Sequence, residues 1–164
     1  MSLEMVRIDD RLIHGQVIAG WCPQINPDHL VLCNDEVAAN EWECELYHDA
    51  ASGYKTSICS VDGTVCLLRR QETKHERVFL IVESPHVIVR LVEQGIHPET
   101  VIVGGMHYQP GKRKVTDFIY IDDDDLRNFQ FLVNRNIKLE AKNVPSGKAI
   151  DLEERLGLTK NNAC

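Results

Sequence analysis

Arg7-Ile8-Asp9-Asp10-Arg11-Leu12-Ile13-His14-Gly15-Gln16-Val17 decides the reading of the fold. Val6 and Ile8 on its leading side predict the end of a buried strand. Val17, Ile18 and Trp21 recur at helical spacing beyond it. Between them lies a polar segment rich in charge, with one histidine at the predicted helix start. Open α/β proteins place ligands at such strand-to-helix loops, because the first helix amides are unpaired and point outward. An anion there gains those donors together with the favourable end of the helix dipole. A neutral imidazole at this point can attack phosphorus, and the transferred group would land on a ready-made anion site.

Working outward, Pro23 and Pro27 break the first helix, and His29-Leu30-Val31-Leu32-Cys33 reads as a short buried strand. Asn34-Asp35 predicts a cap for one helix from about Val37 to Ala50, with Trp42, Leu46 and Ala50 on one face. Lys55 to Val61 alternates like a strand, Thr64 to about Arg70 suggests a short helix, and residues 72–76 a solvated turn. Val78-Phe79-Leu80-Ile81-Val82 is a continuous apolar run, as a strand covered on both faces requires. Ser84-Pro85 opens a helix with Val87, Ile88, Leu91 and Val92 toward the core, and Gly95 stops it.

Thr100 to Val103 predicts another strand, running into Gly104-Gly105-Met106 and a long connection without helical pattern. Connections of that length usually serve a purpose. Phe118 to Ile121 resumes a strand, Asp122 to about Asn134 a helix, Ile137 to Ala141 a last strand, and Asp151 to Leu156 a short helix before a polar tail at 158–164. Strands alternating with helices at this spacing imply a single α/β domain over 1–164, with a mostly parallel sheet and helices on both faces. His14, Asn34-Asp35-Glu36, Ser84-Pro85-His86 and Gly104-Gly105-Met106 should then converge on the carboxyl edge of the sheet.

The chain has 164 residues and a net charge of -7, against the basic face that a nucleic-acid binder needs. No apolar run is long enough to cross a bilayer, and no signal-peptide pattern opens the chain. Cys22, Cys33, Cys44, Cys59, Cys66 and Cys164 form no Cys-x-x-Cys pair, so they read as reduced, mostly core residues, with Cys164 a loose terminal thiol.

Several residues admit two readings. Arg11 is either an ordinary ion-pair partner of Asp9 or Asp10, or a guanidinium that forks onto phosphoryl oxygens. Asp9 and Asp10 invite an acid-base or magnesium reading, but loop aspartates usually accept local amides, and here they would brace the loop and orient Arg11 or His14. Gln16 offers a neutral donor or only solvates the first turn. Gly104-Gly105-Met106 lacks dinucleotide spacing and reads as a turn needing positive φ. Ser84 is most simply a helix N-cap, with a rim hydroxyl as the alternative. Asp122-Asp123-Asp124-Asp125 looks like a metal site but fits caps and dipole partners better. Lys112-Arg113-Lys114 is either a solvated loop or a contact with a protein partner. His107 has no assigned role.

The opening stretch resembles the active-site signature of the enzyme IIB component of the mannose/fructose/sorbose-family phosphoenolpyruvate-dependent sugar phosphotransferase system (PTS). The resemblance runs from Val6 to about Leu152 and takes in Asn34-Asp35-Glu36-Val37-Ala38, Val78-Phe79-Leu80, Gly104-Gly105-Met106, Gly111-Lys112-Arg113, Val144-Pro145 and Asp151-Leu152. Residues 1–4 are expected to be vector-derived, since the family-like sequence starts around Met5.

The resemblance implies a cytoplasmic relay, peripherally associated with membrane components. His14 would accept a phosphoryl group from a phosphohistidine on the IIA component. It would pass the group to a sugar held by components IIC and IID, with no metal or organic cofactor. Arg11 would steady the equatorial oxygens, the amides of Gly15 and Gln16 would cradle the product, and Asp10, Ser84 and Gly105 would support the rim. Glu83-Ser84-Pro85-His86 departs from the Asn-Pro-acidic pattern frequent in the family. A regulatory module that receives phosphate without serving a transporter is the rival reading, and a small-molecule binding domain a third. Self-association and the choice of ring nitrogen on His14 stay open.

Overall fold

The computed structural model describes residues 2–70 and 75–161; residues 72–74 of the expected solvated turn, and Cys164, lie outside them. The strands are β1 (Ser2–Asp9), β2 (His29–Cys33), β3 (Thr56–Cys59), β4 (Arg77–Val82), β5 (Thr100–Gly105), β6 (Arg113–Thr116), β7 (Ile119–Ile121), β8 (Lys138–Ala141) and β9 (Ile150–Asp151). The α-helices are α1 (Cys22–Ile25), α2 (Asp35–Ala38), α3 (Glu41–Ala50), α4 (Val61–Arg69), α5 (Pro85–Glu93), α6 (Asp123–Asn134) and α7 (Leu152–Leu156). A sheet of seven strands has the order β3-β2-β4-β1-β5-β8-β9, parallel except for β9 against β8. β1 is its central strand, and the expected mostly parallel α/β sheet is observed.

Alternation along β1 sets the two faces. Val6 and Ile8 join one apolar layer with Val31, Val78, Leu80, Val101 and Val103, covered by α4, α5 and α6. On the opposite face Leu30, Leu32, Phe79 and Ile81 pack with Leu12, Ile13, Val17, Trp21, Cys22 and Val37. Every residue of β2 is buried, and so are Val78 to Val82 of β4, as strands covered on both sides require. Strand β1 starts at Ser2, which pairs with Arg77, so residues 2–4 take part in the sheet.

Several elements differ from the sequence reading. The single helix expected over 37–50 is two: α2 closes at Ala38, and Asn40 accepts from the Glu43 amide to start α3. Trp42 and Leu46 share a face as the spacing predicts, but that face is exposed. The segment after His14 forms a six-residue π-helix, Gln16–Trp21, before α1. The long connection after Met106 contains β6, which pairs antiparallel with β7. Gly104 and Gly105 are not a positive-φ turn; both belong to β5.

Close approach explains the first of these glycines. A Cβ at Gly104 would stand 1.9 Å from Cζ of Arg7, whose side chain is fully buried beneath it. That guanidinium is the far end of its side chain, but bonds to Asp9 and to the Lys142 and Asn143 carbonyls pin it in place. Gly104→Ala is therefore expected to lower unfolding stability by about 3 kcal/mol or more, the upper range for overpacking a core, measurable by urea denaturation.

Candidate active site

Asp9 ends β1, points away from the Val6 and Ile8 layer, and is fully buried. Its carboxylate collects a dense set of donors. Arg7 Nη2 donates to Oδ2 at 3.2 Å; Arg11 donates through its amide (3.1 Å) and Nε (3.1 Å) to Oδ1 and through Nη2 (3.2 Å) to Oδ2. His14 Nε2 lies 3.0 Å from Oδ2. Burial alone would raise the Asp9 pKa. The hydrogen bonds from His14 and Arg11, with the charge of Arg7, outweigh that and hold the carboxyl well below the usual carboxylate range.

Arg7 is the buried support of this arrangement. Its Nη1 donates to the Lys142 carbonyl at 3.0 Å and Nη2 to the Asn143 carbonyl at 2.9 Å. Trp21 donates to the same Asn143 carbonyl at 3.2 Å, and the guanidinium carbon lies 4.8 Å from the Trp21 ring centroid, a cation–π contact. Burial lowers the Arg7 pKa, and Asp9 pulls it back up. Arg7 Nε and Asn143 Oδ1 are buried without a hydrogen-bond partner among the described residues. Leaving such groups unpaired costs about 1–3 kcal/mol each, so stability is spent here on holding a charge cluster together.

The loop carries backbone strain as well. Leu12 has φ of 60°, in the left-handed region, with its amide bonded to the Asp9 carbonyl at 2.9 Å and its side chain buried. That turn brings Arg11 back over Asp9 and places His14 beyond it. The imidazole has fixed roles. Nδ1 accepts the Gln16 amide at 3.3 Å, and an N–H can only donate, so Nδ1 bears the lone pair and Nε2 carries the hydrogen given to Asp9. The His14 side chain is 19% exposed. A Cβ at Gly15 would meet nothing within 4 Å beyond its chain neighbours, so the backbone there is uncovered.

Arg11 is one-third exposed and its Nη2 reaches Gln16 Oε1 at 3.4 Å, so Gln16 touches both His14 and Arg11. Beside Arg11 opens a cavity of about 220 Å³ lined by Gly105, His107, Asp117, Phe118, Tyr120 and Asn143. Gly105 clears this region: a Cβ there would lie 3.2 Å from Asp9 Oδ1 and 3.4 Å from Arg11 Nη2.

Not every expected residue turns to the histidine. Asp10 accepts from the His107 amide at 2.6 Å and contacts His107 Nδ1 at 2.5 Å, bracing the loop after β5. Ser84 holds the N-cap position of α5, but its side chain makes no capping bond. Asp122 to Asp125 serve structure: Asp122 and Asp125 form a reciprocal capping box, and Lys112 pairs with Asp125 at 2.8 Å. Arg113 pairs with Asp123 and Lys114 with Asp117, so the basic run is neutralised internally.

Sequence reading gave no role at the site to Arg7, His107 or the carbonyls of Lys142 and Asn143, and placed Trp21 only on a helix face. One signal was present: a charged residue inside a buried strand, with two consecutive glycines on another strand to admit it.

This is an open parallel α/β domain that presents a tautomer-fixed histidine beside a half-free arginine at the carboxyl edge of its central strand. The family model for the PTS system sorbose subfamily IIB component matches residues 3–163. The chain is 32% identical over 160 residues to the sorbose-specific EIIB component of the PTS of Klebsiella pneumoniae, covering 97% of this chain and 98% of that one. It is 34% identical over 160 residues to the mannose-specific EIIAB component of Escherichia coli, covering 95% of this chain and 50% of that longer protein. The crystal structure of the IIBSor domain of the Klebsiella pneumoniae sorbose permease superposes with a TM-score of 0.90, at 32% identity, over 96% of this chain and 97% of that one. The chain belongs to the sorbose subfamily of PTS IIB components, and so is a component of a sugar phosphotransferase system.

Because the folded Asp9 carboxyl stays ionised below the usual range, the unfolded chain takes up a proton near pH 4 that the folded chain refuses. Asp9 thus contributes stability that is fully present above about pH 4 and is lost as pH falls below it. Asp9→Asn is expected to flatten this acid limb in urea titrations from pH 7 downward. It should also cost about 3 kcal/mol or more at pH 7, because Arg7 is left buried without its counter-charge.

Proposed function

We propose that His14 is the phosphoryl carrier of this IIB component, receiving the group from a phosphorylated IIA component and delivering it to a sugar held by the membrane components IIC and IID. The observation that carries the reading is the fixed tautomer of His14, with Nε2–H committed to Asp9 and the Nδ1 lone pair in an exposed bond to the Gln16 amide.

Nδ1 is the nucleophile. As its lone pair forms the new N–P bond, the N–P bond on the donor histidine breaks and the donor ring recovers its electron pair. The His14 ring becomes more positive during the step, and the Asp9 carboxylate on Nε2–H stabilises that charge. The Gln16 amide, which donates to Nδ1 at rest, turns to a phosphoryl oxygen. Arg11, one edge held by Asp9 and Gln16, turns its exposed edge toward the equatorial oxygens. Transfer between two imidazoles is close to thermoneutral, so alignment and exclusion of water are the main tasks. Asp10, Ser84 and Gly105 support the rim, and no metal or organic cofactor enters the step.

The name of the E. coli mannose-specific EIIAB relative supports a IIA partner, since this chain covers half of that protein. No helix among the described residues is long and apolar enough to cross a membrane. In the relay reading the protein acts from the cytoplasmic side, visiting membrane components that select the sugar.

Incubation with phosphorylated IIA should label the protein with acid-labile phosphate on Nδ1 of His14, read by ³¹P and ¹⁵N NMR. His14→Gln should show no label, and undiminished labelling of that variant overturns the assignment. Arg11→Ala should keep its fold and lose about a hundredfold to a thousandfold in transfer rate, the usual range for removing one charge-stabilising donor.

A further inference from the structure

Residues 12–54 contain no lysine or arginine, yet hold Asp28, Asp35, Glu36, Glu41, Glu43, Glu45 and Asp49. Those seven carboxylates match the net charge of -7; elsewhere in the chain acidic and basic residues balance. Asp28 pairs with Arg77 and Asp35 with Arg90. Among the described residues the other five make no ion pair.

Most of this uncompensated charge lies on α3, beside an apolar ridge. Trp42 is 67% exposed and Leu46 48%, and with exposed Ala50 they follow one another at four-residue spacing. Glu41, Glu45 and Asp49, all exposed, form the adjacent ridge at the same spacing. The inner side of α3 is satisfied separately, with Cys44 and Tyr47 against the layer that contains Leu12 and Ile13. The outward Trp–Leu ridge therefore contributes nothing to the core.

We propose that this face of α3 is the docking surface for a basic, amphipathic, cytoplasm-facing segment of the membrane components that receive the phosphoryl group. The choice of partner rests on the relay reading above; the surface chemistry does not. Cytoplasmic loops of membrane proteins carry an excess of Lys and Arg, the charge that Glu41, Glu45 and Asp49 leave unanswered. A large exposed indole beside a leucine supplies the apolar anchor on which such contacts concentrate their energy. A second copy of this chain fits worse, because a symmetric contact would bring the same carboxylates together. Cys44 and Tyr47, on the inner side of α3, pack against the same apolar layer that contains Leu12 and Ile13, so α3 belongs to the face of the sheet from which the His14 loop rises.

The test uses the unphosphorylated full chain in co-sedimentation with inverted membrane vesicles that carry IIC and IID, with vesicles lacking them as control. Trp42→Ser and Glu45→Lys should each weaken specific binding by about tenfold or more. Wild-type binding should fall steeply with salt, and less so for Glu45→Lys. Melting temperatures and the rate of His14 labelling from phosphorylated IIA should be unchanged. The proposal is overturned if both variants bind these vesicles like the wild type, or if labelling from IIA falls with them, which would assign the surface to IIA. It is equally overturned if the wild type sediments as a dimer that Trp42→Ser dissociates. Vesicle binding needs no chemistry at His14, so an inert histidine defeats the relay reading while leaving this measurement intact.

Discussion

The ionised carboxylate of Asp9 is the contact on which the site depends. It is buried, and burying a charge is tolerable only with dense compensation. Arg7, Arg11 and His14 supply that compensation, and each is positioned by doing so. The two guanidinium groups would repel each other without the negative charge between them. The imidazole would lose the acceptor that commits its hydrogen to Nε2. One charge thus orders two cations and one imidazole.

The fold supplies this contact through the simplest property of a strand. Successive side chains of β1 point to opposite faces, so Val6 and Ile8 build one apolar layer while Arg7 and Asp9 build the polar cluster on the other. The neighbouring strand β5 must then accept a guanidinium on its surface, and Gly104 provides the space. Gly105 does the same for Asp9 and Arg11. The segment after β8 completes the enclosure with two carbonyls, and Trp21 closes it from the helix side. Strand β1 holds Arg7 and Asp9, and their bonds fix the loop that carries Arg11 and His14.

Much of this was legible in the sequence, for physical reasons. The strands β2 and β4 announce themselves as short apolar runs because both of their faces are covered. His14 and Arg11 could be singled out because charge crowded between a strand and a helix has few other uses. Long-range partners were harder. Nothing local to Lys142 and Asn143 predicts that their carbonyls receive Arg7, and Gly104-Gly105 has the signature of a turn as well as that of a strand in close contact with a neighbour. Trp42 and Leu46 misled for the opposite reason. Their spacing matches a core-facing helix, and periodicity alone does not say whether the apolar face meets the protein's own sheet or something else.

The bonds from Arg7 to Lys142 and Asn143 join residues separated by 135 and 136 positions. The motif that contains Arg7 therefore leaves the ribosome well before Lys142 and Asn143, and its buried arginine lacks two acceptors until they have been made. Contacts of such sequence separation form late, because loop closure must precede them. A nascent or truncated chain would hold Asp9 and its histidine over an arginine without its cage. Competence at the histidine is in this sense a certificate of completed folding, issued only when the far edge of the sheet has docked.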